Sequence, residues 1–397
     1  MSDWASIATT TVAPNHHTVT LRPEQELARR WPAAQRWTDM TEEVQLRHGS
    51  EPCVDLPRSV ADDDIRDRMH DRVFVAAPAY AALDLGTNNC RLLIARVAPD
   101  GFRVIDSFSR IIRLGEGVST TGRISDAAIS RAVGALTVCS DKIRAKGVKR
   151  LRTIATEACR AADNSDFFLG LIERETGIQL EIVDRETEST LAMIGCSPLL
   201  DAKAKGAILF DIGGGSTEIV RIERDRGAAD APPVKGPWVS LPLGVVTLAE
   251  RFGGTNVTRQ SYQAMIDDVA GHLAPFADRH GDDLCDMHLL GTSGTVTTVA
   301  GVHLGLMHYD RRRVDGLWMN DTEMDCAIER LLGMTYRDRA LNPCIGTERA
   351  DLVLAGCAIL DAIRLAFPLP RLRVADRGLR EGMLVEMMRQ DGVMPAA

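Results

Sequence analysis

Two short segments carry residue types suited to phosphate chemistry. In Asp84-Leu85-Gly86-Thr87-Asn88-Asn89 the apolar run Tyr80–Leu85 delivers an aspartate to its carboxyl end, then turns at a glycine. Such a turn offers consecutive backbone N–H groups to an anion, and Thr87, Asn88 and Asn89 add side-chain donors. Turn chemistry alone would equally make it an ordinary hairpin. In Asp211-Ile212-Gly213-Gly214-Gly215-Ser216-Thr217-Glu218 the arrangement returns with three consecutive glycines. Each glycine costs roughly 1 kcal/mol against alanine, a cost that makes sense where backbone must approach a phosphate closely. Gly213, Gly214, Gly215, Ser216 and Thr217 therefore read as a phosphate cradle, with Gly214 where a Cβ would meet the phosphate. Asp211, and Asp84 opposite, are placed to hold a hydrated Mg²⁺ or other divalent cation bridging phosphate oxygens. Arg91, two residues beyond the first turn, and Arg160 in Ala155-Thr156-Glu157-Ala158-Cys159-Arg160 are forked donors suited to phosphate.

The elements around these segments repeat. Tyr80–Leu85, Arg91–Val97 and Phe102–Asp106 read as an antiparallel meander broken at turn signals. Ser125 caps a helix whose apolar positions Ile129, Ala132, Val133, Leu136, Cys139 and Ile143 share a face. Strands follow at Arg150–Thr156 and Gln179–Val183, with a helix near Phe167–Glu175 between them. The cycle recurs as Ala207–Ile212, Glu218–Ile222, Trp238–Leu243, a helix through Tyr262–Leu273 and a strand at His288–Leu290. Ala228–Pro237 reads as a surface loop. Duplication of this kind predicts an α/β chain of two like-folded domains facing each other across a cleft. The domains are placed at residues 77–195 and 196–397, with the terminal helix able to pack back on the first. Residues 1–76 lack a sustained period and read as an extension, partly disordered or a docking arm.

The paired turns resemble the opposed phosphate-binding hairpins of the actin-like, ribonuclease H-like superfamily. The residues between them narrow the resemblance. Arg110–Gly117 (RIIRLGEG), the Ala155–Asn164 segment, DIGGGSTE, Leu241-Pro242-Leu243-Gly244, Gly291-Thr292-Ser293-Gly294-Thr295 and Leu379-Arg380-Glu381-Gly382 occur in that order. Across residues ~79–390 the chain resembles the exopolyphosphatase/guanosine pentaphosphate phosphatase family, in its short two-domain form. The resemblance implies a catalytic carboxylate at Glu188, in a stretch where Asp184-Arg185 replaces the usual Ser-Gly pair. Thr187, Ser189 and Thr190 stand for the usual Glu, Ala and Arg, and Glu186 is the competing carboxylate. It also implies Ser293 as a phosphate contact, Mg²⁺ dependence and a homodimer. Hydrolysis would need an in-line water, a carboxylate to orient it and cations to absorb charge.

Composition bounds the alternatives. A net charge of −8, with 45% hydrophobic and 26% charged residues, argues against a general nucleic-acid or membrane-surface binder. Nine scattered cysteines read as small buried hydrophobes in a reducing compartment, and cytoplasm is the expected location. Arg311-Arg312-Arg313 suits either a phosphate-chain channel or a solvated loop. The leading expectation is an exopolyphosphatase acting on inorganic polyphosphate, with guanosine pentaphosphate (pppGpp) hydrolysis as the alternative. A nucleotide-switched actin-like binding protein and a sugar or acetate kinase are the other classes.

Overall fold

The computed structural model describes residues 77–99, 101–224 and 233–395. The extension expected over residues 1–76 lies outside the described residues. The first meander is β1 (Ala79–Leu85), β2 (Asn89–Ala98) and β3 (Gly101–Ile111), followed by α1 (Asp126–Ala145), β4 (Val148–Ala155), α2 (Ser165–Thr176) and β5 (Glu181–Ile182). Its sheet has the order β3-β2-β1-β4-β5, antiparallel through the meander and parallel from β1 to β5. Helix α3 (Arg185–Cys196) then leads into the second cycle.

That cycle begins with β6 (Gly206–Ile212), β7 (Thr217–Glu223), β8 (Val234–Leu241), α4 (Val245–Phe252), α5 (Arg259–His280), β9 (Met287–Thr292) and α6 (Gly294–His303). It closes with β10 (Trp318–Asn320), α7 (Asp321–Leu332), α8 (Val353–Ala366), β11 (Arg371–Ala375) and α9 (Leu379–Gln390). The second sheet runs β8-β7-β6-β9-β11, the same order as the first, with β10 added antiparallel at its edge. Two like-folded α/β domains of the actin-like type therefore face each other.

Both central strands are apolar on both faces because each sheet is covered twice. Ala81, Leu83 and Leu85 pack with α1 and α2, whereas Tyr80 and Ala82 on the other face pack with Leu191 of α3 and Met383, Leu384 and Met387 of α9. In the second sheet Ile208, Phe210 and Ile212 face α5, α6 and α8, and Ala207 and Leu209 face Cys196 and Leu200. The C-terminal helix thus returns to the first sheet. It crosses α3 at two glycines: a Cβ on Gly195 would lie 2.0 Å from the Gly378 carbonyl oxygen, and one on Gly382 2.0 Å from that of Leu191.

Three expectations change. Strand β3 continues past Asp106 to Ile111, because Arg110 and Ile111 pair with Cys90 and Asn89 at the mouth of the first turn. Val234–Pro237 is strand rather than loop: β8 is an edge strand, where a proline removes no ladder donor, and Gly236-Pro237 bulges opposite Arg221. Six described cysteines are buried, but Cys285 and Cys326 are exposed; Cys326 lies on the outer side of amphipathic α7.

Candidate active site

The two turns are built alike. Each is a four-residue loop closed by one backbone bond, Gly86 N–H to Asn89 carbonyl (2.8 Å) and Gly213 N–H to Ser216 carbonyl (2.9 Å). In the first, the Thr87 carbonyl accepts from Gly115 N–H (2.8 Å) and the Asn88 carbonyl from Ile112 and Arg113 N–H (2.8 and 3.0 Å). In the second, the Gly213 and Gly214 carbonyls accept from Val245 and Val246 N–H at the start of α4 (3.0 and 2.8 Å). Across a trans peptide the next N–H points the opposite way. Holding these carbonyls back therefore turns the N–H groups of Asn88, Asn89, Gly214 and Gly215 away from the supporting segments. The RIIRLGEG stretch and the two valines that follow Leu-Pro-Leu-Gly are the supports.

The turns meet across a cleft of about 580 Å³ lined by Asp84, Gly86, Thr87, Asn88, Asn89, Arg91, Glu188, Asp211, Gly213, Gly214, Gly215, Ser216 and Ser293. Gly214 touches the opposite turn. A Cβ there would lie 2.9 Å from Thr87 Cβ and 3.2 Å from Asn88 N. The facing hairpin is therefore by itself a steric reason for glycine at this position. None of the three glycines has a positive φ, so close approach and not backbone conformation demands them. The domains are also tied at the cleft rim, where Arg113 forks onto Asp351 (2.9 Å) and Glu250 accepts from Gly117 N–H and Ser119 Oγ (3.0 and 2.6 Å).

Glu188 reaches the cleft because Asp184 caps α3, accepting from Thr187 N–H at 2.7 Å. From that start residues 188, 191, 192 and 195 share the buried face, whereas Glu186, two residues earlier, is exposed. Arg160 does not line the cleft. It sits behind Glu188, donating to its Oε2 (2.9 Å), to Glu157 (2.8 Å) and to the Val183 carbonyl (2.7 Å). Arg185 donates to the other oxygen of Glu157 (2.9 Å). The relay Arg185–Glu157–Arg160–Glu188 fixes the carboxylate. Glu157 was not singled out from sequence, although its side chain lies against the second turn, 3.2 Å from a Cβ built on Gly215.

Other side chains part company with their expected contacts. The Thr217 hydroxyl donates to the Leu243 carbonyl (2.9 Å) and is fully buried. Ser293 stays on the cleft and also caps α6, its Oγ accepting from Thr295 and Val296 N–H (3.1 and 3.2 Å). Arg349 and Arg380 were missed and both line the cleft. A Cβ on Gly294 would lie 3.2 Å from Arg349 Nη1 and 3.9 Å from Arg91 Nη2, so guanidinium groups from both domains converge at the start of α6. Arg311 also lines the cleft, tethered to Glu381 (2.9 Å) and the Asp376 carbonyl.

Burial raises four acids here. Glu188 is pushed up to about 8, with the Glu218 charge adding to burial and Arg160 opposing. Asp211 and Glu218 rise to about 7, burial again first, then Glu188 and Asp211 respectively. Asp84 is raised by burial against the pull of Arg91. Neither Asp84 nor Asp211 accepts a hydrogen bond or ion pair from a described residue, and Asn88 Oδ1 is buried without a partner. Two such carboxylates on a cleft floor fit a hydrated divalent cation, whose remaining positions water and phosphate would fill.

The acids give a stability prediction. Glu188 and Glu218 ordinarily titrate near 4.5, and their folded values are about 8 and 7. Between those limits the folded chain holds protons that the unfolded chain releases, so folding stability falls as pH rises across the window. Thermal melting in chelator should therefore occur at lower temperature at pH 8 than at pH 6. An apo melting temperature flat across that range would contradict the buried-acid assignment.

Known proteins resemble this chain over most of its length. Exopolyphosphatase 2 of Mycobacterium tuberculosis is 28% identical over 327 residues, covering 79% of this chain and 99% of the relative. The guanosine-5'-triphosphate,3'-diphosphate pyrophosphatase of Photobacterium profundum is 27% identical over 316 residues; the match covers 79% of this chain and 60% of that longer protein. The crystal structure of the Aquifex aeolicus Ppx/GppA family member superimposes with a TM-score of 0.65 at 26% identity, covering 79% of this chain and 98% of that one. The sequence profile of the Ppx/GppA phosphatase family matches residues 93–391, and the chain belongs to that family.

Proposed function

We propose that the chain hydrolyses the terminal phosphoanhydride bond of inorganic polyphosphate by in-line attack of water. The observation that carries this reading is the convergence of Glu188, Asp84, Asp211 and both turns on one cleft. The turns present N–H groups to the terminal phosphate, and Arg91 and Arg349 neutralise the phosphoryl oxygens. Glu188, held by Arg160, orients the water and accepts its proton; a carboxyl titrating near 8 is a stronger base than an ordinary glutamate. Mg²⁺, held by Asp84 and Asp211, would supply charge to the phosphate oxygens.

Polyphosphate is favoured by the lining. Arg91, Arg311, Arg349, Arg377 and Arg380 line the cleft, and Tyr309 is the one aromatic side chain among its described lining residues. The relative named for guanosine pentaphosphate chemistry keeps that nucleotide as a second reading. The purified chain, incubated with Mg²⁺ and polyphosphate, guanosine pentaphosphate or ATP, should release phosphate fastest from polyphosphate and not at all in excess chelator. Release from guanosine pentaphosphate alone would move the assignment to the nucleotide. Phosphoryl transfer from ATP to a sugar or acetate without hydrolysis would overturn it.

A further inference from the structure

Arg380 is the second residue of α9 and lines the cleft. Its neighbour Glu381 is fully engaged: Oε2 accepts from Gly378 N–H and Oε1 from Arg311, each at 2.9 Å. Among the described residues Arg380 makes no hydrogen bond and no ion pair, and the same is true of Arg91. Glu381 and Asp84 attract Arg380, and Arg91 repels it.

Three circumstances make this an unfavourable place for an unpartnered cation. It lies in the first turn of a helix, where the macrodipole is positive. It repels Arg91 nearby. Half-burial thins the water around its donors. Packing does not call for an arginine here, since Leu379, Met383 and Leu384 supply the helix's buried contacts to β1 and α3. An anion in the cleft would relieve all three at once.

We propose that Arg380 is a substrate-contacting residue, forming with Arg91 a two-guanidinium receptor for phosphate groups beside Asp84. The inference rests on the phosphoanhydride reading above and adds a residue carried by the C-terminal helix. The crossing of α9 and α3 places Arg380 and Glu188 on adjoining helices, so both are positioned by the same contact, with Arg91 supplied from β2. A forked donor suits phosphate, and lysine would restore the charge without the fork.

Titration calorimetry on the full chain with imidodiphosphate, whose P–N–P bridge resists hydrolysis, tests the assignment. The wild type, Arg380→Met and Arg380→Lys are compared in Mg²⁺, and Mg²⁺ alone is titrated separately. Arg380→Met should weaken imidodiphosphate binding on the order of ten- to a hundredfold, with Arg380→Lys between it and the wild type. Melting temperature and Mg²⁺ affinity should be preserved. If Mg²⁺ affinity changes while imidodiphosphate binding does not, Arg380 is a counter-charge for Asp84 and the proposal fails. If Arg380→Met does not fold, the lysine variant decides, and wild-type affinity in it overturns the contact. A wild type that binds no imidodiphosphate would instead remove the phosphoanhydride reading itself.

Discussion

Glu188→Gln should lower kcat by roughly 10²–10⁴-fold, with KM little changed. Glutamine keeps the volume and can still accept from Arg160, so the relay to Glu157 and Arg185 survives while the proton acceptor is lost. The turns and both metal-side aspartates are untouched, so substrate binding persists. Glu186→Gln is the matched control: two residues earlier on α3, exposed, and outside the cleft lining, it should remain near wild type. Steady-state phosphate release across pH separates the outcomes. In the wild type, kcat should fall as pH drops below about 8 and Glu188 becomes protonated; the glutamine variant should lose that limb. If Glu188→Gln retains activity and Glu157→Gln abolishes it, the base is the carboxylate at the centre of the relay. If all three glutamine variants stay active, no carboxylate of this cluster is the base.

The second large effect concerns Gly214. Gly214→Val should reduce hydrolysis by at least about 10²-fold, the scale of losing an oriented donor, in a chain that still folds. The contact with Thr87 gives this prediction a particular form. Even alanine would place its Cβ 2.9 Å from Thr87 Cβ, closer than two carbons tolerate, and would force the turns apart. Gly214→Ala should therefore also be impaired, and Thr87→Gly in the same chain should restore part of the loss by removing the opposing Cβ. Absence of any rescue in the double variant would mean that the added methyl meets substrate instead. Activity within about threefold of wild type in Gly214→Val would remove the phosphate cradle from the mechanism.

What could be seen in advance followed local rules. The turns were visible because a strand, an aspartate and a glycine are contiguous, and the repeated order of strands and helices identified two facing domains. Side-chain direction was less accessible. Thr217 begins β7, and strand alternation turns its hydroxyl inward to Leu243 while Ser216 remains on the cleft. Ser293 lines the cleft but also caps its own helix, a second duty that composition does not reveal. Arg349 was hidden because only the fold brings it beside Gly294 and Arg91, and Arg380, although part of the Leu-Arg-Glu-Gly segment, drew no role because it lies far along the chain from Asp84 and Arg91. Glu157 was hidden by its company: beside Arg160 it looks like a local ion pair, and only the fold brings Glu188 and Arg185 to it.

The crossing of α3 and α9 bears on how this chain can vary over evolutionary time. At both Gly195 and Gly382 the obstacle to a larger residue is a backbone carbonyl, 2.0 Å from the missing Cβ. Backbone cannot be trimmed by a second substitution, unlike the Thr87 side chain facing Gly214. Drift at either glycine therefore has no compensating partner, although neither residue lines the cleft or touches a reacting group. Invariance of this pair among descendants of the sequence would record the closeness of two helices, 187 positions apart along the chain (382 − 195), and not a part in the chemistry.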